Sequence, residues 1–334
     1  MKLQCVVLNW KDAPATIRCV QSLLAQDVAM EEILIVDNAS DDGSVTILQA
    51  AFPEIAIVVS EINLGFAGGM NLGARTVLAR SDEDDALLFL NNDALVMTNL
   101  YPLLWAARQP GVGLVSPLIV SEQNTEHIEF QGSAYDWKEP RIIWYNDEIS
   151  SANEINGLIN SPRLSGAALV VSVDVIHKIG MFDESFFMYF EDDELSARSL
   201  KAGLRNVVAR NAVLSHTGKS AKSAPPHYIY YMKRNEFHFW HKYLPFSVWL
   251  SYFFRLWAEG FGNLSDPNYS NDQREAVKDG LWSVVKGCQG PWSNCSRPKL
   301  ANLFFSYPVV SARLAVRISY AVKWIMNRQS RGDL

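Results

Sequence analysis

The sequence has few cysteines, and their positions form no familiar pattern. Its 334 residues include four, namely Cys5, Cys19, Cys288 and Cys295. Four are too few, and too irregularly spaced, for the disulfide framework of a small secreted protein, and no two have the spacing of a zinc site. We therefore expect a protein of the reducing cytoplasm.

Long apolar runs and a surplus of basic charge are also absent. Arg255 and Glu259 interrupt the apolar segment 244–261, so no run reaches the roughly 18 residues that span a membrane. The N-terminal run 3–8 is too short for a signal peptide and is typical of a first strand. The net charge is −6, which does not favour nucleic acid as a partner. We expect a chain that is not exported by this route, crosses no membrane and binds no nucleic acid.

Short apolar runs alternate with helical patterns between residues 3 and 90. The runs predict strands at 3–8, 32–36, 55–59 and 86–90, and the patterns between them predict helices at 15–26, 43–51 and 69–79. This alternation is typical of parallel strands joined by right-handed helical crossovers. The sequence therefore predicts an α/β fold in which ligands bind beyond the carboxyl ends of the strands.

The second half of the sequence is less regular. Residues 116–160 mix aromatic side chains with glycine and serine, which predicts hairpins and loops over the cleft. A helix is predicted from Glu191 to Gly203, since glycine favours the position after a helix end. The last third is helical in pattern and rich in aromatic residues. We expect two domains, residues 1–240 and a helical extension, residues 241–334.

Polar side chains directly follow three of the predicted strands. They are Asn9, the pair Asp37 and Asn38, and the triplet Asn91, Asn92 and Asp93. Because the ends of parallel strands meet at one edge of a sheet, we expect these groups in one crevice. Asp37 could accept hydrogen bonds from a base or a ribose, and Asp93 could hold a divalent cation that bridges two phosphates. Simple polar turns and helix caps are the alternative for each group.

A glycine-rich segment, residues 63–71, opens one of the predicted helices. Glycine there lets the backbone approach a ligand closely and leaves amides free to face it. The segment is neither a Walker motif nor a dinucleotide fingerprint. A turn that merely needs a positive φ is the alternative interpretation.

Four acids, residues 191–194, stand at the predicted start of a helix. We expect Glu191 and Asp192 to face the cleft, and Asp193 or Glu194 to face solvent or to pair with Arg198. The alternative is that the acids only stabilise the helix N-terminus.

His216 follows a predicted strand among small polar residues. Its nitrogen, an oxygen of Asp93 and two phosphate oxygens would be a suitable ligand set for Mn²⁺ or Mg²⁺. A structural histidine is the alternative.

The order of these motifs resembles that of family 2 glycosyltransferases of the GT-A fold, particularly bacterial enzymes of the rhamnosyltransferase type that build O-antigen, capsule or other cell-surface polysaccharides. The resemblance covers residues 3–240. It rests on Val-Asp-Asn-x-Ser-x-Asp-Gly-Ser, Asn-Leu-Gly-Phe-Ala-Gly-Gly-x-Asn, Leu-Asn-Asn-Asp, Ser-Gly-Ala and Gly-x-Phe-Asp-Glu-x-Phe-Phe-x-Tyr-x-Glu-Asp, in that order. The chain departs from the family at Asn91, where many relatives of the wider fold have Asp, and at Asp193, where the family often has a hydrophobic residue.

The resemblance implies a role for each of these motifs. The donor nucleotide would be bound by Asn9, Asp37, Asn38, Asn63, Gly65, Asn71, Asn91 and Asn92. Asp93 and His216 would hold Mn²⁺ or Mg²⁺. Asp192 would be the base, with Glu191 beside it in the acidic motif. Gly166, Ala167 and Arg234 would lie on the acceptor side.

The resemblance further implies the reaction. Residues 1–240 would be a GT-A catalytic domain with a mixed central sheet flanked by helices. This domain would transfer a sugar, with inversion, from a dTDP- or UDP-sugar, dTDP-rhamnose first, to a saccharide or lipid-linked saccharide. A sugar-nucleotide nucleotidyltransferase and a non-catalytic glycan-binding protein are the alternatives that we retain. Residues 297–334 are basic and partly amphipathic, so they could lie on the cytoplasmic face of the inner membrane, or simply pack on the domain.

Overall fold

A computed structural model describes residues 2–217, 224–298 and eleven positions between 301 and 322, namely 301, 302, 305, 306, 313, 315–319 and 322. The chain forms two compact units. One comprises Met1–Tyr135 and Ile142–Lys219, and the other comprises Asp136–Arg141 and Ser220–Leu334. The predicted boundary between two domains after residue 240 stays a prediction.

The strands are β1 Leu3–Asn9, β2 Ile33–Asp37, β3 Ala56–Val59, β4 Ala86–Asn91, β5 Ala94–Val96, β6 Val112–Ser121, β7 Ile128–Phe130, β8 Ser133–Asp136, β9 Arg141–Trp144, β10 Glu154–Ile155, β11 Leu158–Asn160, β12 Ala168–Ser172 and β13 Arg205–His216. The α-helices are α1 Ala13–Leu24, α2 Ser44–Ala51, α3 Gly65–Leu78, α4 Tyr101–Ala107, α5 Asp147–Ala152, α6 Val173–Ile179, α7 Glu191–Lys201, α8 Pro226–Tyr243, α9 Phe246–Ser265 and α10 Asn271–Lys286.

A mixed sheet forms the centre of the first unit. Its strand order is β10-β11-β13-β6-β12-β4-β1-β2-β3, with β5 paired to β13 and β7 to β6. Strands β3, β2, β1 and β4 are parallel, whereas β12 runs antiparallel to both β4 and β6. The predicted α/β fold with a mixed sheet is therefore confirmed.

The central strands are buried along their whole length, which explains why they could be recognised as continuous apolar runs. Alternate residues of β1 enter separate cores. Cys5 and Val7 pack with α1, α2 and α4 on one face, and Val6 and Leu8 pack with α3 and α6 on the other. Helices on both faces leave the strand ends as the exposed edge where polar groups can gather.

Helix α3 begins at Gly65, four residues before the predicted start. Gly65 has a φ of 71°, and the following glycines are helical. A Cβ on Gly69 would lie 2.5 Å from Leu8, and a Cβ on Gly73 would lie 2.3 Å from Val6. Glycine is needed because the helix lies directly against the sheet, so the predicted turn is in fact the first part of a helix.

The second unit is helical, as the sequence predicts. Aromatic side chains pack between α8 and α9, including Trp240 on Tyr252 at 5.6 Å and Phe237 on Phe253 at 5.5 Å between ring centroids. Cys288 and Cys295 form a disulfide after α10. This single bond was not predicted from the cysteine positions, which had excluded only a disulfide framework and a zinc site. Among the residues described, no helix combines the length and hydrophobicity needed to cross a bilayer.

Candidate active site

The ends of β1 and β2 are joined by buried polar side chains. Asn9 Nδ2 donates to Asp37 Oδ2 at 2.7 Å, and Asp37 Oδ1 accepts from the Ser40 amide at 2.8 Å. Asn9 and Asp37 are fully buried. These bonds hold the two strand ends and the following turn together, and the roles of both residues in donor binding stay predictions.

Asn38 connects the end of β2 to the glycine-rich segment. Its Oδ1 accepts from the Leu64 amide at 2.9 Å and its Nδ2 donates to the Gly65 carbonyl at 3.0 Å. Asn63 Oδ1 accepts from the Gly65 amide at 2.8 Å. The structure thus brings together two motifs that are predicted to bind the donor.

The same glycine-rich segment contacts the residues that precede the acidic motif. The Ala67 amide donates to the Phe187 carbonyl at 3.2 Å, and a Cβ on Gly65 would lie 2.3 Å from that oxygen. Asn71 bonds the Phe182 backbone through both its amide nitrogen and its oxygen, at 2.9 and 3.0 Å. Asn71 is buried, so in this structure it fixes the segment, and its predicted contact with the donor stays a prediction.

The end of β4 carries the predicted diphosphate-binding triplet. The Asn91 amide donates to the Ala167 carbonyl at 3.0 Å, and Asn92 Nδ2 donates to Thr16 Oγ1 at 3.1 Å. Asn91 Oδ1 is buried and has no hydrogen-bond partner among the described residues. A buried oxygen without a partner at a strand end could accept a hydrogen bond from a bound nucleotide sugar.

Asp93 and His216, far apart in the sequence, are brought together by strand pairing. His216 at the end of β13 pairs with Ala94 at the start of β5. His216 Nε2 lies 3.3 Å from Asp93 Oδ1, and its Nδ1 lies 3.6 Å from Glu129 Oε2. Burial acts to lower the pKa of His216, but the hydrogen bond and charge of Asp93, with Glu129, outweigh it and raise the pKa above its ordinary value.

Asp93 and His216 are suited to bind a divalent cation whose other ligands come from a substrate. Across residues 2–217 and 224–298, no three His, Cys, Asp or Glu side chains assemble as a metal site. A cation that carries a diphosphate usually takes only one or two protein ligands, with phosphates and water completing its shell. The carboxylate of Asp93 and the imidazole of His216, both partly exposed, supply such a pair of donors.

Of the four acids that open α7, only Asp192 is accessible from solvent. Glu191, Asp193 and Glu194 are 5%, 2% and 0% exposed, whereas Asp192 is partly exposed. Asp192 Oδ2 accepts from the Gly166 amide at 2.7 Å, and its Oδ1 accepts from the Asp193 amide at 2.9 Å. The carboxylate is therefore fixed in direction and still reachable.

Asp193 or Glu194 was expected to face solvent or to pair with Arg198; pairing with Arg198 is confirmed for Glu194, whereas Asp193 is buried beside a different arginine. Asp193 binds Arg163 through both carboxylate oxygens, at 2.6 and 3.1 Å. Glu194 pairs with Arg198, as expected from their spacing of one helical turn. Burial raises the pKa of Asp193 to about 6 although Arg163 opposes this, so the pair is charged at neutral pH.

Unlike Asp193 and Glu194, Glu191 forms no ion pair among the residues that the structure describes. Its Oε2 is buried without a hydrogen-bond partner in the described part of the chain. Burial raises the pKa of Glu191 well above its ordinary value, and the negative charge of Asp192 adds to the effect. The protonated, neutral form of Glu191 is thus favoured more than in a free carboxyl group, and the role of Asp192 as the base stays a prediction.

Arg234, the remaining predicted acceptor residue, lies in the second unit. Its side chain is buried, lies 4.9 Å from the ring of Tyr231 and donates to Asn235 and to the Gly290 carbonyl. These contacts tie α8 to the segment that the disulfide closes. A contact with the acceptor stays a prediction.

Sequence reasoning missed two residues, Glu129 and Arg163. Glu129 approaches the predicted cation ligand His216, and Arg163 approaches Asp193, the neighbour of the predicted base. Both contacts span a long sequence separation, and neither Glu129 nor Arg163 stands in a motif. Only the pairing of strands places Glu129 beside His216, and only the loop before β12 places Arg163 beside Asp193.

Comparison with known proteins agrees with this geometry. The profile described as glycosyl transferase family 2 matches residues 5–180, which is more than half of the chain. The chain belongs to glycosyl transferase family 2. The family predicted from the order of motifs is therefore confirmed, and the protein is a glycosyltransferase.

Individual glycosyltransferases from a bacterium and an archaeon are similar over much of this chain. The N-acetylglucosaminyl-diphospho-decaprenol L-rhamnosyltransferase of Mycobacterium tuberculosis is 26% identical over 250 residues, covering 68% of this chain and 80% of the relative. The low-salt glycan biosynthesis hexosyltransferase Agl10 of Haloferax volcanii is 22% identical over 205 residues, covering 60% of this chain and 62% of the relative.

Solved structures confirm the GT-A fold. GalNAc-T7, crystallised with UDP, GalNAc and Mn²⁺, matches with a TM-score of 0.57 at 15% identity, covering 92% of this chain and 58% of that one. S. aureus TarS matches with a TM-score of 0.54 at 13% identity, covering 96% of this chain and 55% of that one.

Proposed function

We propose that this glycosyltransferase transfers a sugar from a nucleotide diphosphate to a saccharide acceptor in one inverting, metal-dependent displacement. The proposal rests on the four acids at the start of α7. Of these, only Asp192 is both held by hydrogen bonds and accessible from solvent. In a cell, the reaction would serve the synthesis of a cell-surface polysaccharide.

Asp192 would remove the proton from the acceptor hydroxyl as the new bond forms. An alcohol is a weak nucleophile until its proton is accepted, and a positioned base contributes typically ~10²–10⁴ in rate. The Gly166 and Asp193 amides hold both carboxylate oxygens, so the base would approach from one direction. A single base on the face opposite the leaving group produces inversion at the anomeric carbon.

Asp93 and His216 would hold the cation at the diphosphate, with Asn91 and Asn92 beside them at the end of β4. A bound Mn²⁺ or Mg²⁺ would neutralise the charge of the departing nucleotide diphosphate. The nucleotide would be bound by Asn38, Asn63 and the start of α3. The hydrogen bonds of the two asparagines already hold the glycine-rich segment at the end of β2.

The names of related proteins support the choice of substrates. The mycobacterial relative is named for L-rhamnose transfer to an N-acetylglucosaminyl diphospholipid, and a structural neighbour was crystallised with UDP and Mn²⁺. We therefore propose dTDP-rhamnose as the first donor to test, UDP-sugars next, and a lipid-linked saccharide as the acceptor. The enzyme would work in the cytoplasm, at the cytoplasmic face of the membrane that holds such an acceptor.

The test is nucleotide release from a panel of nucleotide sugars with Mn²⁺, with and without acceptor, for the wild type, Asp192→Asn and Glu191→Gln. We expect Asp192→Asn to retain its fold and its affinity for nucleotide and metal, yet to lose nearly all transfer. Normal transfer by Asp192→Asn beside an inactive Glu191→Gln would reassign the base to Glu191. Turnover of pyrophosphate would favour a nucleotidyltransferase, and glycan binding without turnover would favour a binding protein.

A further inference from the structure

Arg163 and Asp193 form a buried ion pair that the displacement itself does not require. The guanidinium binds both carboxylate oxygens, at 2.6 and 3.1 Å, and it lies 4.9 Å from the ring of Trp144. The two residues are 9% and 2% exposed. Removing two charges from water offsets most of their attraction, so stability alone is a weak reason for such a pair.

Both members of the pair are attached to the groups that fix Asp192. Asp193 follows Asp192 in the first turn of α7. Arg163 belongs to the loop of residues 161–167 between β11 and β12, here called the anchor loop, and Gly166 of the same loop donates its amide to Asp192 Oδ2 at 2.7 Å. The ion pair and this hydrogen bond thus join the anchor loop to two successive residues of the helix.

The other end of the anchor loop is bonded to the strand that leads to the cation ligands. The Ala167 carbonyl accepts from the Asn91 amide at 3.0 Å, and Asn91 ends β4 two residues before Asp93. Two adjacent residues of the loop, Gly166 and Ala167, therefore bond the base on one side and the diphosphate end of the sheet on the other.

We propose that Arg163 is a positioning residue that, through Asp193 and the anchor loop, fixes Asp192 relative to the donor. This inference rests on the proposed function, in which Asp192 is the base. An in-line displacement is sensitive to the placement of its base, because a shift of about 1 Å can cost ~10²-fold in rate. Arg163 touches neither substrate in this scheme, so its loss should change kcat more than KM.

The experiment compares two ion pairs on the same helix. Arg163→Lys alters the fork that binds both oxygens, and the double variant Arg163→Gln with Asp193→Asn removes both charges without leaving one unpaired. The matched controls are Arg198→Lys and the double variant Arg198→Gln with Glu194→Gln. Arg198 binds Glu194 one turn further along α7 and donates to the Ile179 carbonyl, away from the anchor loop.

For both Arg163 variants we expect kcat to fall by about 10–100-fold, with the donor KM and the Kd for UDP or dTDP changed by less than about twofold. The Arg198 variants should keep kcat within about threefold at equal loss of thermal stability. If Asp192→Asn is inactive but the Arg163 and Arg198 variants lose kcat equally, the pair is only structural and the inference is overturned alone. If Asp192→Asn retains transfer, the proposed function is overturned, and the inference with it.

Discussion

His216 lies between two carboxylates, and this arrangement predicts what its loss would do. Asp93→Ala and His216→Ala each remove one of the two protein donors that would hold the cation. We expect either change to weaken Mn²⁺ binding in the presence of UDP or dTDP by tenfold or more, because phosphates and water cannot replace the lost ligand. Electron paramagnetic resonance of free Mn²⁺ during a titration measures this affinity directly.

The matched control for these variants is Glu126→Ala, an exposed acid on the turn before β7. It should leave Mn²⁺ affinity unchanged, since it removes charge without removing a donor. Full transferase activity of Asp93→Ala and His216→Ala in excess chelator would contradict the metal role of both residues.

Because the carboxyl group of Glu191 is buried, we expect the stability of the fold to depend on pH. Its carboxyl is buried with a pKa raised well above the ordinary value, so the folded state retains a proton that the unfolded state releases above about pH 4. The sign follows: this group favours folding below the unfolded pKa, and that contribution is lost as pH rises towards the folded pKa. Glu191→Gln cannot ionise and should escape the loss.

Urea unfolding of wild type and Glu191→Gln at a series of pH values measures this difference. The free energy of unfolding of the variant, minus that of the wild type, should increase as the pH rises above about 4, the ordinary pKa of a glutamate in the unfolded chain. A difference that stays constant with pH would show that Glu191 ionises as readily in the folded chain as in the unfolded one.

At the scale of elements, the sequence predicted what depends on local pattern. The buried central strands were located to within one or two residues, because burial on both faces makes continuous apolar runs. Helix α3 was predicted to start late because glycine normally marks a turn, whereas Gly65 and Gly69 are needed here for contact with Phe187 and Leu8.

The position of a candidate site residue could be expected where the residue directly follows a predicted strand, and not where it lies on an element that no sequence pattern marks. Asp93 and His216 each stood at a strand end, so their meeting could be expected. Glu129 lies on a three-residue strand, β7, that no sequence pattern marks. Asp193 or Glu194 was expected to face solvent or to pair with Arg198. No local pattern indicated the actual partner of Asp193, Arg163, which is thirty residues away.

Replacing two helical glycines with alanine should have opposite effects on stability, because one glycine lies against the sheet and the other has open space around it. A Cβ on Gly73 would lie 2.3 Å from Val6 and 2.9 Å from Val36, so Gly73→Ala should destabilise the fold by about 1–3 kcal/mol through overpacking. Gly262 in α9 has no atom within 4 Å of the added carbon, so Gly262→Ala should stabilise by about 0.5–1 kcal/mol. Urea unfolding of both variants checks the pair, and equal effects would contradict the packing argument.

At the scale of the whole molecule, the residues predicted for catalysis and the basic C-terminal segment, residues 297–334, lie in different parts of the chain. The family profile matches residues 5–180, and the predicted metal and base residues all belong to the first unit. Residues 297–334 hold seven Lys or Arg and one acid, and most of them lie outside the described residues. Their predicted contact with a membrane therefore rests on composition.

A lipid-linked acceptor would make such a contact useful, because it would keep the enzyme at the surface that holds its substrate. The prediction is that the full chain floats with vesicles containing phosphatidylglycerol, less at high salt, and not with phosphatidylcholine alone.

The test variant carries glutamine at Arg313, Arg317, Lys323 and Arg328. The control variant carries glutamine at the exposed residues Lys138, Lys178, Lys201 and Arg205. Each basic residue near an anionic surface contributes about 1 kcal/mol, so the test variant should stay in the unbound fraction while the control floats like the wild type. Equal flotation of both variants would assign the attraction to overall charge, and no flotation of the wild type would remove the membrane from this account.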